Sequence, residues 1–250
     1  MITPRTPPTM ATKHSVAGLE TFDGINIEYE LAYQDNKFKT ACITEAISLI
    51  PPGARILDVG CGTGIPVSDM LSKAGLEVVG FDISPKMVKL AQDRIKGSFA
   101  ISDMLTYPIE DHDQFAAVFM IFCHLQLSYA DFYAAAYKFA RALQPGGYFV
   151  LGQTPSDTYV PDDSATYDET KTYVDDFDVP FMGQMLPTLM LSKEGQRNFF
   201  RSMGLEVVWE CVDTFQPNNE KCEPEAQQYI IAKRVGDALI TLPKPLPKQN

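Results

Sequence analysis

The chain holds 250 residues, 45% of them hydrophobic, which is enough to bury a full core within one domain. Its formal net charge of −11 repels phosphate backbones and anionic lipid alike, which excludes nucleic acid and membrane surfaces as expected partners and leaves a small neutral or cationic ligand. Five cysteines without a CxxC pair exclude a disulfide framework and a zinc cluster, and the lack of a long apolar run or secretory leader predicts a soluble, cytoplasmic protein.

In chain order, residues 1 to 20, rich in Thr and Pro, read as a disordered lead-in. Phe38, Cys42, Ala46 and Leu49 then recur at helical spacing over residues 36 to 50, and "PPG" stops that helix before a short apolar strand at 55 to 59. After three closely spaced glycines, Pro66 suits the first turn of a helix whose inward face is Val67, Met70, Leu71 and Ala74, with Gly75 as its stop. "EVVGFD" makes the second strand. Ser84 caps the next helix, Pro85 opens it, Met87, Ala91 and Ile95 face inward, and "FAISD" follows as the third strand. The unbroken apolar run "FAAVFMIF" predicts a fourth strand buried on both faces. Ser128 and Asp131 start a helix with Phe132, Ala136, Phe139, Ala140 and Leu143 inward; "QPGG" stops it before the strand "YFVLG". Residues 153 to 191 lose periodicity and exceed an ordinary connection, which predicts a lid or insertion over a site. A helix over 192 to 203 and the strands "LEVVWECVDTF" and "AQQYIIAKR" complete a single domain at residues 21 to 235, and 236 to 250 read as a tail.

This alternation predicts an α/β fold, a doubly wound and mostly parallel sheet with helices on both faces. Ligands in such sheets bind beyond the carboxyl ends of the strands, where Gly60, Gly62 and Gly64 let backbone approach closely and a helix presents its amino end. Two ligand classes need this arrangement, dinucleotides and adenosyl cofactors. The spacing G-x-G-x-G differs from the dinucleotide G-x-G-x-x-G, and Asp58 just before it would repel a pyrophosphate, so the adenosyl class is favoured. Asp58 either attracts a cationic ligand or holds the loop by accepting backbone N–H bonds. Asp82, ending the second strand, has two oxygens for two ribose hydroxyls, and Asp103 offers an acceptor near an adenine amino group.

"ILDVGCGTG", "VVGFDISPKMVKLAQDR", "SDM" and "LQPGGYFVL" resemble, in order and spacing, the successive motifs of the class I S-adenosylmethionine-dependent methyltransferases of small-molecule type, over roughly residues 27 to 234. The resemblance implies a seven-stranded Rossmann-like sheet with an antiparallel last strand, S-adenosyl-L-methionine as cofactor and S-adenosyl-L-homocysteine as product. It places Gly60, Gly62 and Gly64 along the methionine portion, Asp82 at the ribose and Asp103 with Met104 at the adenine; Asp58, Cys61, Ile83 and Met87 complete the expected cofactor set. Tyr29 and Tyr33 resemble tyrosines that close over the cofactor, and "FMGQMLPTLMLSKEG" resembles the substrate-side insertion of that group. On the fourth strand Ala116 stands where relatives often carry Asp, while the following turn keeps its histidine, His124.

An activated methyl group needs positioning above all, and a base only where the acceptor must lose a proton. His124 is the expected base for an aliphatic hydroxyl or carbon acid, and Gln126 the group that orients a carbonyl or hydroxyl. Plainer roles stand beside these: His124 as a pocket-shaping ring, Gln126 as a solvated amide, Tyr29 and Tyr33 as one helix face, Asp103 as a turn acid, Met104 as core filler, Cys61 and Cys123 as packing, and Phe181, Met182, Met185 and Met190 as core rather than pocket wall. The expected function is methyl transfer to a small organic molecule, with natural-product metabolism as its setting. A non-methylating relative catalysing a rearrangement or cyclisation, a cofactor-sensing module and an NAD-dependent enzyme are the alternatives. The oligomeric state has no signature in the sequence.

Overall fold

The computed structural model describes residues 12–109, 114–161, 164–236 and 240. Strands β1 (Arg55–Val59), β2 (Glu77–Asp82), β3 (Ser98–Ile101), β4 (Phe115–Ile121) and β5 (Leu143–Gln153) run parallel. β6 (Tyr173–Phe181) and β7 (Gln184–Leu191) form a separate antiparallel hairpin, and β8 (Leu205–Phe215) with β9 (Glu225–Arg234) complete the main sheet. The order of that seven-stranded sheet is β3-β2-β1-β4-β5-β9-β8, and β9 runs antiparallel to both of its neighbours. Strand order therefore reverses between β1 and β4, the switch point at which this architecture opens a crevice.

Helices α1 (Lys13–Tyr33), α2 (Lys37–Leu49), α3 (Val67–Lys73), α4 (Pro85–Arg94), α5 (Tyr129–Arg141) and α6 (Lys193–Ser202) flank the sheet. Period-two alternation distributes each strand between two cores. Leu57 and Val59 of β1 pack with Phe132 and Phe139 of α5 and Phe199 of α6. Ile56 packs on the other face with Ile43 of α2, Leu71 of α3 and Ala91 of α4, and Asp58 follows it to that side. The predicted caps at Ser84 and Ser128 form, each accepting from the N–H three residues on at 3.2 and 3.1 Å, and Ser192 caps α6 in the same way at 3.0 Å.

Three expectations are corrected. Residues 13–20 belong to α1 rather than to an unstructured lead-in; residues 1 to 11 lie outside the described residues. α1 breaks at Asn26 (φ 11°, ψ −91°) and combines polar ties, Glu30 to Arg94 at 3.0 and 2.8 Å and Asp23 to Ser84 at 2.8 Å, with apolar packing of Ala32 and Tyr33 near its end, so it lacks the continuous apolar stripe by which helices are recognised. "QPGG" lies inside β5, and Leu143 pairs with Phe115 instead of ending α5. The stretch without periodicity ends in the β6–β7 hairpin, whose alternation is masked by a bulge between Val174 and Phe177 and by Pro187 within β7. The expected tail at 236 to 250 lies outside the described residues apart from Gly236 and Ile240.

Asn36 joins the amino end of α2 to β9. It is fully buried, its Oδ1 accepts from the Phe38 and Lys39 N–H groups at 3.1 and 3.0 Å, and its Nδ2 donates to Gln227 at 2.6 Å and Tyr229 at 3.2 Å. Asn36→Ala removes a cap and strands a buried amide partner. We expect it to lower unfolding free energy by about 2 to 4 kcal/mol, measured by urea denaturation.

Candidate functional site

A cavity of about 1040 Å³, counted out to its mouth, opens at the carboxyl ends of β1 to β4 and is roofed by α1. The turn after β1 approaches its floor because Gly60 takes φ +62°; a Cβ there would lie 2.3 Å from Cys123 Cβ. Gly64, at φ +82°, serves packing instead, its missing Cβ making room for Ile95.

Asp82 fastens this turn to the next strand end. Its Oδ2 accepts from the Gly62 N–H at 2.9 Å and its Oδ1 from the Ser84 N–H at 2.8 Å. Burial raises its pKa, while those backbone N–H groups pull it back down. Asp58 lies deeper and accepts from Ser68 Oγ at 2.6 Å; burial pushes it up to about 7. Asp103 accepts from the Leu105 N–H at 2.8 Å. Lys138 closes the far side of that loop, donating to the Met104, Leu105 and Tyr107 carbonyls at 2.7, 3.2 and 2.9 Å, and burial lowers its pKa to about 8.

Most of the expected cofactor set lines this one cavity: Gly60, Cys61, Gly62 and Asp58 from the first strand end, Asp82, Ile83 and Met87 from the second, Asp103 and Met104 from the third, and Tyr29 from α1. Gln126 of the β4–α5 loop joins them. Burial pushes the Cys61 and Cys123 thiols well above their ordinary range, which leaves them as packing groups.

A second cavity of about 520 Å³ lies between α1, the β4–α5 loop and the hairpin. Phe22, Tyr29, Phe122 and Gln126 line both cavities and form a shared wall. Phe122 sits at φ +55°, an uncommon region for a bulky residue that turns the chain sharply at the end of β4. Tyr33 faces this second cavity and donates to Glu225 at 3.3 Å, so Tyr29 borders both spaces and Tyr33 the second alone. Phe181 and Met190 line it as well; Met182 instead packs with Tyr33 and Phe215, while Met185 is 57% exposed.

The structure corrects the placement of His124. Its ring is fully buried, stacks on Phe132 at 4.5 Å and lines neither cavity, because the turn at Phe122 sends it into the α5 side of the core. Burial lowers its pKa to about 3, against a smaller opposing effect of the Gln153 side chain beside it. A neutral, enclosed imidazole does not exchange protons with a ligand in either cavity.

Two charged residues escaped the sequence reading. Lys39, 5% exposed, lines the first cavity with its pKa lowered by burial to about 8, and Glu225 lines the second with its pKa raised by burial. Lys39 had no signal beyond being a lysine one turn ahead of the inward Cys42 and Ile43; Glu225 opens a strand whose apolar run starts only at Tyr229.

The chemistry of the first cavity fits an adenosyl sulfonium. Three carboxylates face one lysine there, a balance that attracts a cation and repels a pyrophosphate, and the Asp82 oxygens keep lone pairs beyond those given to the backbone. A sheet of this order with its site at the β1–β4 switch point defines the Rossmann-like methyltransferase architecture. The methyltransferase domain profile matches residues 56–147. The demethylmenaquinone methyltransferase of Tropheryma whipplei is 30% identical over 135 residues, 53% of this chain and 54% of its own length, so the chain spans about half of that relative. Among solved structures, magnesium protoporphyrin IX methyltransferase of Synechocystis PCC 6803 with bound S-adenosylmethionine aligns with a TM-score of 0.62 at 15% identity over 90% of this chain and 99% of that one. The [4+2]-cyclase SpnF aligns at 0.64, with 16% identity over 92% and 100%. Residues 56–147 carry the methyltransferase domain, and the relatives and the fold support a class I S-adenosylmethionine-dependent methyltransferase.

The core position of His124 has a direct consequence. We expect its imidazole proton shifts to stay flat between pH 5 and 8 by NMR, whereas an ordinary histidine titrates near pH 6.5. A midpoint inside that window would put the ring in contact with solvent.

Proposed function

We propose that the protein transfers the methyl group of S-adenosylmethionine to a small organic acceptor in secondary metabolism. The observation that carries this reading is the pair of cavities sharing one wall, the first acidic and glycine-floored, the second lined chiefly by aromatic and aliphatic side chains. The cofactor, when bound, supplies a methyl group already activated by its sulfonium.

The chain's own residues then have to bind, orient and exclude water. Asp82, Asp103 and the turn at Gly60 to Gly62 would hold the adenosyl and methionine ends, and Asp58, whose ionised form a cation in this cavity would favour, would add negative potential to it. Tyr29, Phe122 and Gln126 stand where the two ligands would meet, and Gln126 keeps an amide there to orient a polar acceptor group. The hairpin acts as the lid read from the sequence: Val179, Phe181, Leu186 and Met190 face only the second cavity, and β7 is fixed to the β4–α5 loop by the Leu189 N–H to Leu125 carbonyl bond at 2.7 Å. The apolar character of that cavity supports an acceptor with hydrocarbon bulk.

Calorimetric titration with S-adenosylmethionine and S-adenosylhomocysteine tests the cofactor half. We expect micromolar binding that NAD does not compete away and that Asp82→Ala weakens by about 2 kcal/mol, roughly thirtyfold. No adenosyl binding would overturn the reading. Cofactor binding with no S-adenosylhomocysteine formed from any acceptor would favour a non-methylating function, as the fold shared with the cyclase allows. Leu186→Ala tests the lid: acceptor KM should rise several-fold while cofactor affinity stays within twofold, and a matched loss of both would dissolve the distinction between the cavities.

A further inference from the structure

Among the residues lining the second cavity, Glu225 is the one that carries charge. Its carboxylate is held from two sides: Oε1 accepts from Gln227 Nε2 at 2.6 Å and Oε2 from the Tyr33 hydroxyl at 3.3 Å. Gln227 is itself engaged by Asn36 at 2.6 Å and Tyr229 at 2.7 Å, so the carboxylate is backed by a buried polar scaffold. A carboxylate accepts about four hydrogen bonds, and two of these sites remain for a ligand.

Around it stand aromatic rings. Tyr29 and Tyr33 lie 4.8 Å apart, Phe181 stacks on Tyr33 at 6.3 Å, and Phe22 meets Tyr29 and Phe181 edge-on at 5.8 and 6.1 Å. Ring faces attract cations through their quadrupoles, and a carboxylate among them adds a counter-charge and a proton acceptor. Lys39 lines the first cavity, lies over the Tyr33 and Phe122 rings at 5.8 and 5.7 Å, and its charge opposes from that side the effect of burial on Glu225, but it does not line the second cavity. A neutral acceptor would leave Glu225 without a counter-charge inside its own cavity.

We infer that the methyl acceptor is an amine with apolar bulk, which enters the second cavity as an ammonium ion against Glu225 and the surrounding rings and gives its proton to that carboxylate. In that step the N–H bond breaks, an O–H bond forms on Glu225, and the electron pair stays on nitrogen, which thereby becomes nucleophilic. The inference rests on the second cavity being the acceptor site.

The test uses 2-phenylethylamine and its uncharged counterpart 2-phenylethanol, titrated calorimetrically at pH 7.5 into the full chain with and without S-adenosylhomocysteine. We expect the amine to bind at least tenfold more tightly than the alcohol, Glu225→Gln to abolish that preference, and Glu225→Asp, which keeps the charge, to retain most of it. S-adenosylhomocysteine affinity should be unchanged in both variants. Equal affinity for the two probes, tighter binding of the alcohol, no binding of the amine, or a preference that survives Glu225→Gln would overturn the inference. Should Glu225→Gln fail to fold, the wild-type comparison of the probes decides. Failure of S-adenosylhomocysteine to bind the wild-type protein would instead sink the methyltransferase reading, and the amine preference would still be read in the titration without it.

Discussion

Everything at this site depends on one carboxylate that belongs to a strand end yet organises two loops. Asp82 takes the Gly62 N–H with one oxygen and the Ser84 N–H with the other, so the glycine turn after β1 and the amino end of α4 are set relative to each other by a single side chain. Parallel pairing makes this feasible: β1 and β2 run in register up to Val59 and Phe81, so their exits lie side by side. Backbone N–H groups at a helix start and at a tight turn lack intrasegment partners, and a carboxylate satisfies them more strongly than a neutral acceptor. The residue expected to meet ribose hydroxyls is thus first a structural tie, and its remaining lone pairs are the ones offered outward.

The parts legible in the sequence are those governed by local rules. Period-two and period-3.6 patterns, Ser84 and Ser128 as caps, and the glycine turn after β1 all depend on neighbours a few residues away, and they built the sheet as read. What escaped depends on distant partners or on backbone turns that side chains do not announce. α1 is held by Arg94 and Ser84, some sixty positions along the chain. His124 keeps its place in a motif, but the left-handed Phe122 two residues before it decides that the ring goes to the core and the phenyl group to the cavities. Lys39 and Glu225 belong to elements whose patterns give their places as ordinary helix and strand positions; only the assembled sheet brings them to the cavities.

Burying Asp58 and Lys39 at the first cavity and Glu225 at the second lowers stability, because each charge gives up water without a full ion pair to replace it. Their pKa values move toward neutral forms, as desolvation requires. Such a set is retained where a ligand brings the missing charge. A cation in the first cavity would find Asp58 beneath it, so part of the free energy withheld in folding is returned on binding.

The wall shared by the two cavities makes their ligands interdependent. Tyr29 and Phe122 each present a surface to both spaces, and a ring that shifts to accommodate one occupant changes the room left for the other. Whatever factor the first ligand exerts on the second, the second exerts on the first, since coupling free energy between two sites is reciprocal. Two ligands held on either side of that wall would therefore be read as a pair and not as two separate solutes.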